Sequence, residues 1–546
     1  MKHQITNPFH EGEQTAQRKA GIGDIARWAS GFVRDYLPEQ HRAFHTSLPF
    51  LVLSGADKTG RIWTTLVEGE DGFIRSPDPE HLTLRTKVDP DDPLADRLAT
   101  GGDIGAIGIE LATRRRNRFS GQIVPGAEDI TIRMRQTFGN CPQYIHTRSW
   151  ARVSQKTDAK ANVSDQLSDP QITLIRQADT MFIGSGHQGK KSAASNGYDA
   201  SHRGGTPGFV HVAQPDRLQI PDYSGNNFFN TIGNILANSK VGLLFVDFET
   251  GGLLHISGRA QIDWSPANTH DPDAWRMINV EIEKVVERPG AISLRWRKLD
   301  GQRRKLRLAR REVESPGITS FYFEPADGHS LDRFQPGQHL PISLQIPGQT
   351  GLTERSYSLS GPARDSGQYR LSIKREDHGV MSRYLHDDLS EGRTVEAHPP
   401  AGDFVVPDGD GPLILASAGV GLTPMIAMLH ALAGSDRPVW FVHGTRNGQQ
   451  HALGREVATL VAEHENLRKR VYYSQPTSND RAGEDFDAAG RMTATDLIAL
   501  ADSLNAHYML CGPARFLADI QSGLEQQGIP PDRIHFETFG PSAPTP

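Results

Sequence analysis

Hydrophobic and polar residues alternate with different periods in successive parts of the chain, and these periods predict its architecture. In residues 1–45, apolar side chains recur at helical spacing between Ile22 and Phe32, which predicts an amphipathic helix. From about 46 to 407, short apolar–polar alternations lie between turn signals, as is typical of antiparallel strands. From about 408 onward, apolar runs alternate with helical segments, and this order predicts a doubly wound parallel sheet.

The strand-rich part contains an internal repeat. Four segments recur in the same order farther along the chain, at a separation that grows slowly, as small loop insertions would cause. Each copy predicts one small antiparallel β-barrel, the first over 46–150 and the second over 171–264, with polar connectors at 151–170 and 265–280. The matched pairs are 50–55 with 181–186, 72–74 with 208–210, 105–113 with 242–250, and 120–121 with 257–258.

Two basic runs lie in this part of the chain. By the repeat alignment, Arg114–Arg116 falls in a hairpin turn, and a second run within 281–313 falls on a segment with strand-like alternation. Charged side chains on a strand edge discourage pairing between edges. We therefore expect the first run to be solvated in its turn and the second to mark a solvated strand edge.

The last part of the chain carries a glycine-rich turn between a buried strand and a helix, within Leu413–Pro424. Glycines there let a pyrophosphate approach the backbone, and the helix N-terminus favours its negative charge. A tight structural turn is the alternative explanation for Gly419 and Gly421. The context favours nucleotide binding, because the strand His507–Pro513 ends in Cys-Gly-Pro at the carboxyl edge of the same sheet, where ligands of such sheets bind.

Further motifs occur in an order known from one superfamily. They are FQPGQ (334–338), RSYSLS (355–360), SIKRE (372–376), LHD (385–387), AGVGLTPM (418–425), FVHGTRN (441–447), CGP (511–513) and FETFG (536–540). With them, residues from about 314 to 541 resemble the ferredoxin–NADP reductase superfamily, and most of all the reductase half of flavohaemoglobins. The resemblance implies an FAD-binding barrel, placed over 281–407, and an NAD(P)-binding domain over 408–546.

The same resemblance assigns candidate residues to each cofactor. Ser358, near the flavin N5, and Glu537, which closes over the flavin, are the implied catalytic residues. For FAD the implied contacts are Arg355, Ser356, Tyr357, Ser358, Ile373, Lys374, Gly379, Val380, Met381, Ser382 and Phe539. For NAD(P) they are Gly419, Gly421, Thr423, Pro424, Arg446, Cys511, Gly512 and Pro513.

The chemistry of these side chains agrees with the implied roles. An arginine fork such as that of Arg355 suits a diphosphate, and an aromatic face such as that of Tyr357 suits a flavin ring. Cys511 is expected to contact the nicotinamide by its shape, with an inert core position as the alternative. Arg446 and Arg515 either hold a 2′-phosphate or are surface charges, which leaves the choice between NADH and NADPH open.

The second copy of the repeat carries a candidate phosphate site. Arg203 stands beside Gly204 and Gly205, which puts a charged fork next to backbone N–H groups. Four asparagines follow, and each can either read the edge of a flavin or cap a helix, so both explanations stay open. These residues are Asn226, Asn227, Asn230 and Asn234.

With SHRGG (201–205), the Gly-Phe turn, NTIGNIL (230–236) and the VDFET…SGRA hairpin, this part resembles the pyridoxamine 5′-phosphate oxidase-like FMN-binding split barrels. The resemblance implies FMN contacts from Ser201, His202, Arg203, Gly204, Gly205 and the four asparagines. Proteins of that superfamily usually form homodimers around FMN, so a homodimer or a pairing of the two copies within the chain is expected. The first copy has Trp63–Gly69 in place of the Arg-Gly-Gly element, which predicts one FMN per chain and a degenerate first copy. Cys141 is either a substrate-pocket residue or a buried one.

Composition narrows the range of functions. The chain has 546 residues, a formal net charge of −6 and 37% hydrophobic residues, which suits a folded protein that binds neither nucleic acid nor a membrane surface. Its two cysteines exclude a disulfide scaffold, a four-cysteine zinc site and a four-cysteine iron–sulfur cluster held by this chain alone. No metal site is expected. The N-terminus lacks the pattern of a signal peptide, and no apolar stretch approaches a membrane span, so a cytoplasmic enzyme is expected.

These observations predict an NAD(P)H-dependent flavin oxidoreductase. Electrons would pass from NAD(P)H to FAD, then to FMN in the second barrel copy, and finally to a small-molecule substrate or O2. One alternative gives the N-terminal half a haem or another tetrapyrrole in place of FMN. Another makes the chain a reductase that serves a separate electron-carrier protein, and a third makes it a redox-sensing or flavin-storage protein.

Overall fold

A computed structural model describes residues 5–538 apart from 6, 24, 31–32, 127–128, 140–143, 154–158, 190–192, 224, 267–268, 272–273, 300–302, 348–351, 364–366, 378 and 504, and apart from the side chains of 27 and 28. The chain divides into two compact units, one ending at Leu299 and the other beginning at residue 300. Each unit is described by itself below.

Three short helices open the first unit: α1 (Glu11–Lys19), α2 (Ala26–Ala29) and α3 (Glu39–Thr46). The helix predicted between Ile22 and Phe32 is therefore a single turn. Ile25 and Ala29 are fully buried in a cluster with Phe9, Phe138 and Phe228. The apolar residues after Ile22 are therefore not one face of a long helix. They belong to an irregular segment that is buried from several sides.

The first sheet of this unit has seven antiparallel strands, with helix α4 (Ala95–Thr100) between the fourth and the fifth. The strands are β1 (Phe50–Ala56), β2 (Ile62–Glu68), β3 (Ile74–Asp78), β4 (His81–Leu84), β5 (Gly102–Glu110), β6 (Arg115–Ile123) and β7 (Ile130–Gly139). Their order across the sheet is β2-β1-β5-β6-β7-β4-β3. Strands β8 (Arg148–Arg152) and β9 (Asn162–Ser164) and helix α5 (Asp169–Gln177) connect it to the second sheet.

The second sheet repeats this topology. Its strands are β10 (Thr180–His187), β11 (Gly197–Gly204), β12 (His211–Gln214), β13 (Arg217–Asp222), β14 (Lys240–Val246), β15 (Leu253–Asp263) and β16 (Arg276–Arg288), with helix α6 (Asn230–Ala237) before β14. The order is β11-β10-β14-β15-β16-β13-β12, and β9 adds to β16. Numbered within each copy, both sheets have the same strand order, so the repeat in the sequence corresponds to two sheets of one topology.

Strand β16 corrects the domain boundaries expected from the sequence. It pairs with β15 and β13 and so completes the second sheet, although it begins in the expected connector 265–280 and extends into the segment assigned to the FAD barrel. Strand β17 (Leu294–Lys298) then pairs with β8 inside the first unit. The second copy therefore extends beyond 264, and the barrel of the second unit begins after 281.

The two sheets pack directly against each other through glycines. The Thr64 hydroxyl of β2 donates a hydrogen bond to the Gly242 carbonyl of β14 at 2.8 Å. A Cβ atom at Gly242 would collide with the backbone of Trp63, and one at Gly105 would collide with the backbone of Tyr198. Because Gly105 and Gly242 are matched positions of the repeat, the same contact occurs twice with approximate two-fold symmetry. Only glycine permits this approach of the backbones.

The second unit begins with a six-stranded antiparallel sheet. Its elements are β18 (Arg304–Ser315), β19 (Ile318–Pro325), β20 (His339–Gln345), β21 (Leu352–Ser358), β22 (Tyr369–Lys374), helix α7 (Val380–Asp387) and β23 (Thr394–Ala397). The order is β21-β20-β23-β18-β19-β22. A bridge between Leu359 and Leu371 joins the end of β21 to β22 and closes the sheet into the expected barrel.

The basic run in β18 is not an edge. The strand pairs with β19 on one side and with β23 on the other. Its arginines point outward and meet acidic side chains on neighbouring segments, for example Arg304 with Asp327 at 2.9 Å. The run was predicted as a solvated edge because alternating charge shows which face of a strand is exposed but does not show how many partners the strand has.

A parallel α/β domain completes the second unit, as the sequence predicts. Its elements are β24 (Leu413–Ala418), α8 (Leu422–Leu432), β25 (Val439–Thr445), α9 (Gly454–Glu463), β26 (Leu467–Tyr473), β27 (Ala488–Ala489), α10 (Ala494–Ala501), β28 (His507–Gly512), α11 (Ala514–Gln526) and β29 (Ile534–Thr538). The order is β27-β26-β25-β24-β28-β29, with all neighbours parallel. Strands β25, β26 and β27 follow one another on one side of β24, whereas β28 and β29 lie on its other side. The order in which strands are added therefore reverses between β24 and β28. Within the described ranges, no helix is long and apolar enough to cross a membrane.

Candidate functional site

The point where the strand order of the parallel sheet reverses brings two predicted motifs together. Gly419–Gly421 forms a 3-10 turn directly after β24, and Gly419 has a φ of 56°. A Cβ atom at Gly421 would collide with the carbonyl oxygen of Cys511 at the end of β28. A Cβ atom at Gly512 would come within 3.0 Å of the Ala418 carbonyl oxygen. The glycine turn is thus packed onto the carboxyl end of the neighbouring strand, at the place where α/β sheets bind nucleotides.

The side chains around this turn have different environments. The Thr423 hydroxyl donates to the carbonyl of Val420 at 3.1 Å, and Thr423 and Pro424 are buried at the start of α8. Pro513 precedes α11, and Arg446 is exposed just beyond β25. The backbone of the turn, rather than the buried Thr423 and Pro424 side chains, is therefore the surface that a dinucleotide can approach.

Cys511 is a core residue in this structure. Its side chain is fully buried within the apolar cluster of the parallel sheet, and burial raises the pKa of its thiol well above the usual range. The alternative that the sequence left open, an inert core position, describes the thiol better than a contact with nicotinamide does. Cys511 reaches the nucleotide region through its backbone, against Gly421.

The antiparallel barrel of the second unit places three predicted FAD residues at one end of β21. The Arg355 guanidinium donates to the carbonyl of Glu354 at 2.7 Å and is half-buried. Tyr357 is half-buried, and burial raises the pKa of its hydroxyl. Ser358 is 6% exposed, and its Oγ is buried without a hydrogen-bond partner among the described residues. A buried hydroxyl in this state fits a flavin edge, which would supply the partner.

Glu537 of β29 is the second predicted catalytic residue. Burial and the nearby Asp403 raise the pKa of its carboxyl to about 8. Its Oε2 atom has no hydrogen-bond partner among the described residues, and its Oε1 lies 3.9 Å from Nδ1 of His339. His339 pairs with Ser358 in the β20–β21 register. At neutral pH, Glu537 is therefore a protonated acid that can hold and release a proton in this part of the second unit.

Helix α7 supplies the predicted phosphate cap. Gly379 precedes it, and a Cβ atom there would collide with the Ser382 hydroxyl. That hydroxyl accepts from the backbone N–H of Glu376 at 3.2 Å and donates to the Gly379 carbonyl at 3.3 Å, so it shapes the turn. The remaining N–H groups of the first turn favour an anion. Met381 is buried in the barrel core, and Val380 packs against that core.

Two other predicted FAD residues serve the barrel itself. The carbonyl of Ile373 accepts from His386 Nε2 at 3.0 Å, and the Ile373 side chain is buried. Lys374 pairs with Glu376 at 2.8 Å on the surface. Ser356 is half-buried in β21. Phe539, the last predicted FAD contact, lies outside the described residues.

The first unit contains a cleft between its two sheets. It collects residues of both copies, and its charged members are mostly arginines. The lining residues are Ile107, Arg116, Arg118, Tyr144, Ser201, His202, Arg203, Gly204, Pro221, Asp222, Tyr223, Gly225, Asn226, Asn227, Phe229, Asn230, Thr231, Ile232 and Arg276. Most of the predicted FMN residues therefore lie together. Gly205 and Asn234 are not in the lining.

Arg203 is paired within the cleft. Its Nη1 lies 2.5 Å from Asp222, and Nε of Arg276 lies 2.8 Å from the other oxygen of the same carboxylate. Arg276 also lies over the ring of Phe229, 4.9 Å from its centre. Two arginines sharing one aspartate keep one positive charge in excess, so a phosphate can still be attracted here. The sequence did not indicate this ion-pair triad, because its members come from β11, β13 and β16.

The predicted exposed backbone at Gly204–Gly205 is not found. The N–H of Gly205 donates to the Asp179 carbonyl at 3.1 Å, and its carbonyl accepts from His146 at 2.9 Å. A Cβ atom at Gly204 would collide with the Tyr144 carbonyl. These glycines are required for close packing, and they do not form a phosphate cradle. Cys141, which precedes Tyr144 in the chain, lies outside the described residues.

The four asparagines have different environments, and among the described residues no side-chain hydrogen bond caps the start of α6. The side chain of Asn226 accepts from the Phe228 N–H at 3.2 Å, which is a local turn, and Asn227 lines the cleft with a φ of 61°. Asn230 donates to Glu13 of α1 at 2.5 Å, and Asn234 contacts His10 Nε2 at 2.9 Å.

The last two amides therefore attach the cleft helix α6 to α1. Asn234 is buried and also donates to Ser185 at 3.1 Å, so it does not read a ligand. Burial raises the pKa of Glu13 to about 8, although hydrogen bonds from the His10 backbone and from Asn230 oppose the rise. No sequence signal links α1 to α6, because the partners lie more than two hundred positions apart along the chain.

Arg116 and Arg118 correct the expectation for the first basic run. The run follows β5, and Arg114 adopts a φ of 59° in the turn, but Arg114 is only 7% exposed. Arg116 Nη1 lies 3.0 Å from His202 Nδ1, and Arg118 pairs with Asp199. The first copy thus supplies two cleft arginines, because the packing of the sheets sets β6 opposite β11.

The matching position of the first copy has lost the charges of the cleft. Gly69 packs on Phe73 as Gly205 packs on Phe209, which makes Val67 equivalent to Arg203. Glu68, equivalent to Gly204, accepts hydrogen bonds from the backbone N–H of Ser293 at 2.7 Å and from its hydroxyl at 2.9 Å. Val67 therefore cannot form the ion pair that Arg203 forms, and the Glu68 carboxylate is already hydrogen-bonded to Ser293.

Comparison with known proteins defines the class of the second unit. Residues 305–406 match the oxidoreductase FAD-binding domain family, and residues 415–522 match the oxidoreductase NAD-binding domain family. The second unit therefore contains an oxidoreductase FAD-binding domain followed by an oxidoreductase NAD-binding domain. FAD and NAD(P)H are confirmed as the predicted cofactors of these domains.

Among curated proteins, the flavohemoprotein of Deinococcus radiodurans is 43% identical over 242 residues, which are 44% of this chain and 60% of that protein. The flavohemoprotein of Pseudomonas aeruginosa is 42% identical over 243 residues, again 44% and 60%. The chain thus spans about 60% of the length of these relatives. The solved flavohem-like FAD/NAD-binding domain of nitric oxide dioxygenase from Vibrio cholerae is 34% identical, covers 44% of this chain and 99% of that chain, and has a TM-score of 0.40.

These comparisons do not support FMN or a pyridoxamine 5′-phosphate oxidase-like split barrel. The two family matches lie in the second unit, and the relatives are named for haem and flavin. In the described part of the first unit, the longest helices have nine residues, and the architecture consists of two antiparallel sheets.

Proposed function

We propose that this protein is an NAD(P)H-dependent flavin oxidoreductase whose second unit transfers electrons from NAD(P)H through FAD to an acceptor bound by the first unit. The observation that carries the proposal is the contact of Gly421 with the Cys511 carbonyl, which forms a nucleotide-binding turn in the same unit as the FAD-type barrel. FAD, when bound, accepts a hydride and releases electrons.

The chain's own residues prepare this exchange. Arg355 presents a fork for a diphosphate, and the first turn of α7 after Gly379 presents N–H groups to an anion. Ser358 offers a buried hydroxyl without a partner among the described residues. Glu537 holds a proton at neutral pH, because burial raises its pKa to about 8.

For the acceptor, the geometry of the cleft is best suited to FMN. Two arginines share Asp222, which keeps a positive charge for a phosphate monoester. Asn227 lines the cleft beside Tyr144 and Phe229, so an amide and aromatic rings could contact a flavin ring. FMN, when bound, would hold electrons for a small-molecule substrate or O2.

A haem or another tetrapyrrole in the first unit, or an external electron-carrier protein, is the second candidate acceptor. The comparisons favour it over FMN, because the relatives of the reductase domains are flavohemoproteins. The described cleft does not fit an iron ligand at His202. Its Nδ1 accepts a hydrogen bond from Arg116, so the ring proton is on Nε2, and neither nitrogen offers a lone pair to a metal.

Cofactor analysis separates the candidates. The purified full chain is denatured, its flavins are extracted, and the native protein is reduced anaerobically with NADH and with NADPH. Equimolar FAD and FMN, both reduced, support FMN as the acceptor. FAD with a Soret band supports haem, and FAD alone supports an external carrier. Failure of both nucleotides to reduce the bound flavin would overturn the proposed oxidoreductase.

A further inference from the structure

Both copies of the repeat contribute positive charge to the cleft. Arg116 and Arg118 come from β6, whereas Arg203 and Arg276 come from β11 and β16. Arg118 pairs with Asp199, whereas Arg203 and Arg276 share Asp222. Four guanidinium groups in one cleft favour an anionic ligand.

Arg116 controls the protonation of His202. A guanidinium group has only donors, so His202 Nδ1, at 3.0 Å from Arg116 Nη1, must accept the hydrogen bond. The proton of the ring then resides on Nε2. Burial, followed by the charge of Arg116, lowers the pKa of His202 well below its usual range, so the ring is neutral.

The Nε2–H group of His202 is a hydrogen-bond donor without an acceptor among the described residues. His202 is 5% exposed, and its Nε2 is buried without a hydrogen-bond partner among the described residues. A buried donor in this state destabilises the folded protein. A ligand with an acceptor atom in the cleft would offset that destabilisation, and it would do so more strongly if the acceptor carried negative charge.

We propose that Arg116 and His202, one from each copy, stabilise the negative charge that an electron acceptor in the cleft gains on reduction. The pair thereby raises the reduction potential of the acceptor and draws electrons from FAD. The proposal rests on the proposed function with FMN as the acceptor. With both flavins bound, two electrons and one proton would pass from anionic reduced FAD to oxidised FMN, which would leave oxidised FAD and anionic reduced FMN. Positioned donors act most strongly where such charge develops.

The neighbouring Arg115 provides a matched control. It lies on the same strand, and its guanidinium group is directed to Glu110, at 3.8 Å, and to the ring of Phe44, 5.0 Å from the ring centre. It does not line the cleft. Arg115→Gln therefore removes the same charge from the strand without changing the pair with His202.

The test is the two-electron midpoint potential of bound FMN in the full FAD-loaded protein, measured by anaerobic dye equilibration. Arg116→Gln is expected to weaken the preference for the reduced form about tenfold, which corresponds to a potential about 30 mV lower. Arg115→Gln and Arg116→Lys are expected to keep the wild-type potential. An unchanged potential in Arg116→Gln with FMN still bound would overturn the proposal.

A second measurement covers loss of the ligand. If Arg116→Gln releases FMN, the result for Arg116→Lys separates the possibilities. FMN retained by Arg116→Lys at the wild-type potential supports the role of the charge. Loss of FMN from Arg116→Lys as well would overturn the proposal. Failure of the proposed function can be distinguished from failure of this proposal, because the wild-type protein would then contain no FMN.

Discussion

Arg370 of the FAD-binding barrel holds Glu456 of the NAD-binding domain with both Nη atoms, at 2.7 and 2.8 Å. His430 Nε2 contacts the same carboxylate at 2.5 Å. Burial alone would raise the pKa of Glu456, but the hydrogen bonds from His430 and Arg370 lower it to about 2. This ion pair joins the two domains of the second unit, and its loss would leave Arg370 as a buried charge without its carboxylate.

The first prediction concerns Glu456→Gln. Because the change breaks a largely buried ion pair, we expect the free energy of unfolding of the second unit to fall by about 3 kcal/mol. The lowered pKa means that the pair stabilises the fold above about pH 4.5 and that this stabilisation is lost as the pH falls toward about 2. Denaturant titration followed by release of FAD measures both effects. Glu484→Gln, in an exposed ion pair with Arg481, is the control and should cost less than about 1 kcal/mol.

The second prediction concerns Gly421→Ala. The added Cβ would collide with the Cys511 carbonyl and push the turn away from β28. We expect binding of NADH and NADPH to weaken by at least about tenfold, or about 1.4 kcal/mol, while FAD stays bound, because FAD contacts are implied for the barrel. Stopped-flow reduction at several nucleotide concentrations measures this effect. Gly434→Ala controls for glycine replacement in this domain, because its Cβ would make only ordinary contact with His464 at 3.5 Å, although its φ of 73° carries a strain cost of its own. Unchanged nucleotide affinity would contradict the assignment.

The third prediction concerns Cys511. Its thiol is fully buried and its pKa is raised by burial, so the thiolate needed for reaction is scarce. We expect the native protein to resist thiol reagents at this position and Cys511→Ala to keep most of its NAD(P)H oxidation with an artificial acceptor. Mass spectrometry of labelled peptides and steady-state assays check both points. Complete loss of hydride transfer in a folded Cys511→Ala protein would show that the thiol is needed for nucleotide binding or for the reaction.

The fourth prediction concerns Arg276→Gln in the cleft. If Arg276 attracts the FMN phosphate, its removal should weaken FMN binding by about 10- to 100-fold, as expected for one charge-assisted hydrogen bond. Riboflavin lacks the phosphate, so its affinity should change little. Calorimetric titration of flavin-depleted protein with both compounds provides the comparison. Equal losses for FMN and riboflavin would assign Arg276 to the ring or to the fold instead.

The fifth prediction concerns the pH dependence of the first unit. Burial raises the pKa of Glu13 to about 8, so the folded protein binds a proton that the unfolded chain releases near pH 4.5. The contribution of Glu13 to stability is therefore complete below about pH 4.5 and is lost as the pH rises to about 8. Hydrogen exchange in α1 and α6 should accelerate over this range beyond the intrinsic rate. Glu13→Gln should remove this pH dependence, and an equally steep dependence in the variant would contradict it.

The second unit was largely predictable from sequence because its signals are local. The turn around Gly419 joins a strand to a helix within a few residues, and the strand–helix alternation defines a parallel sheet. The Ser358 hydroxyl, which has no hydrogen-bond partner among the residues that the structure describes, was expected to contact a ligand. Core burial of the Cys511 thiol was less predictable, since a small side chain after a buried strand fits either environment.

In the first unit, the sequence revealed the repeat but not the way in which its copies meet. Arg116 was expected in solvent because the repeat alignment locates it near a turn, whereas the packing of two sheets sets it against His202. Asn234 was expected near a flavin because its partner His10 lies far away in the chain. Both errors concern contacts between elements that are distant in sequence, for which local periodicity carries no information.

The duplication described for the first unit has a consequence for how such a protein can change. In a symmetric homodimer, every substitution appears at both equivalent positions, so a gain in one site imposes the same change on its mate. Here Val67 and Arg203 occupy matched positions of the same chain and differ. Each copy can accumulate mutations independently. One copy can therefore specialise in binding a ligand while the other keeps only a structural role.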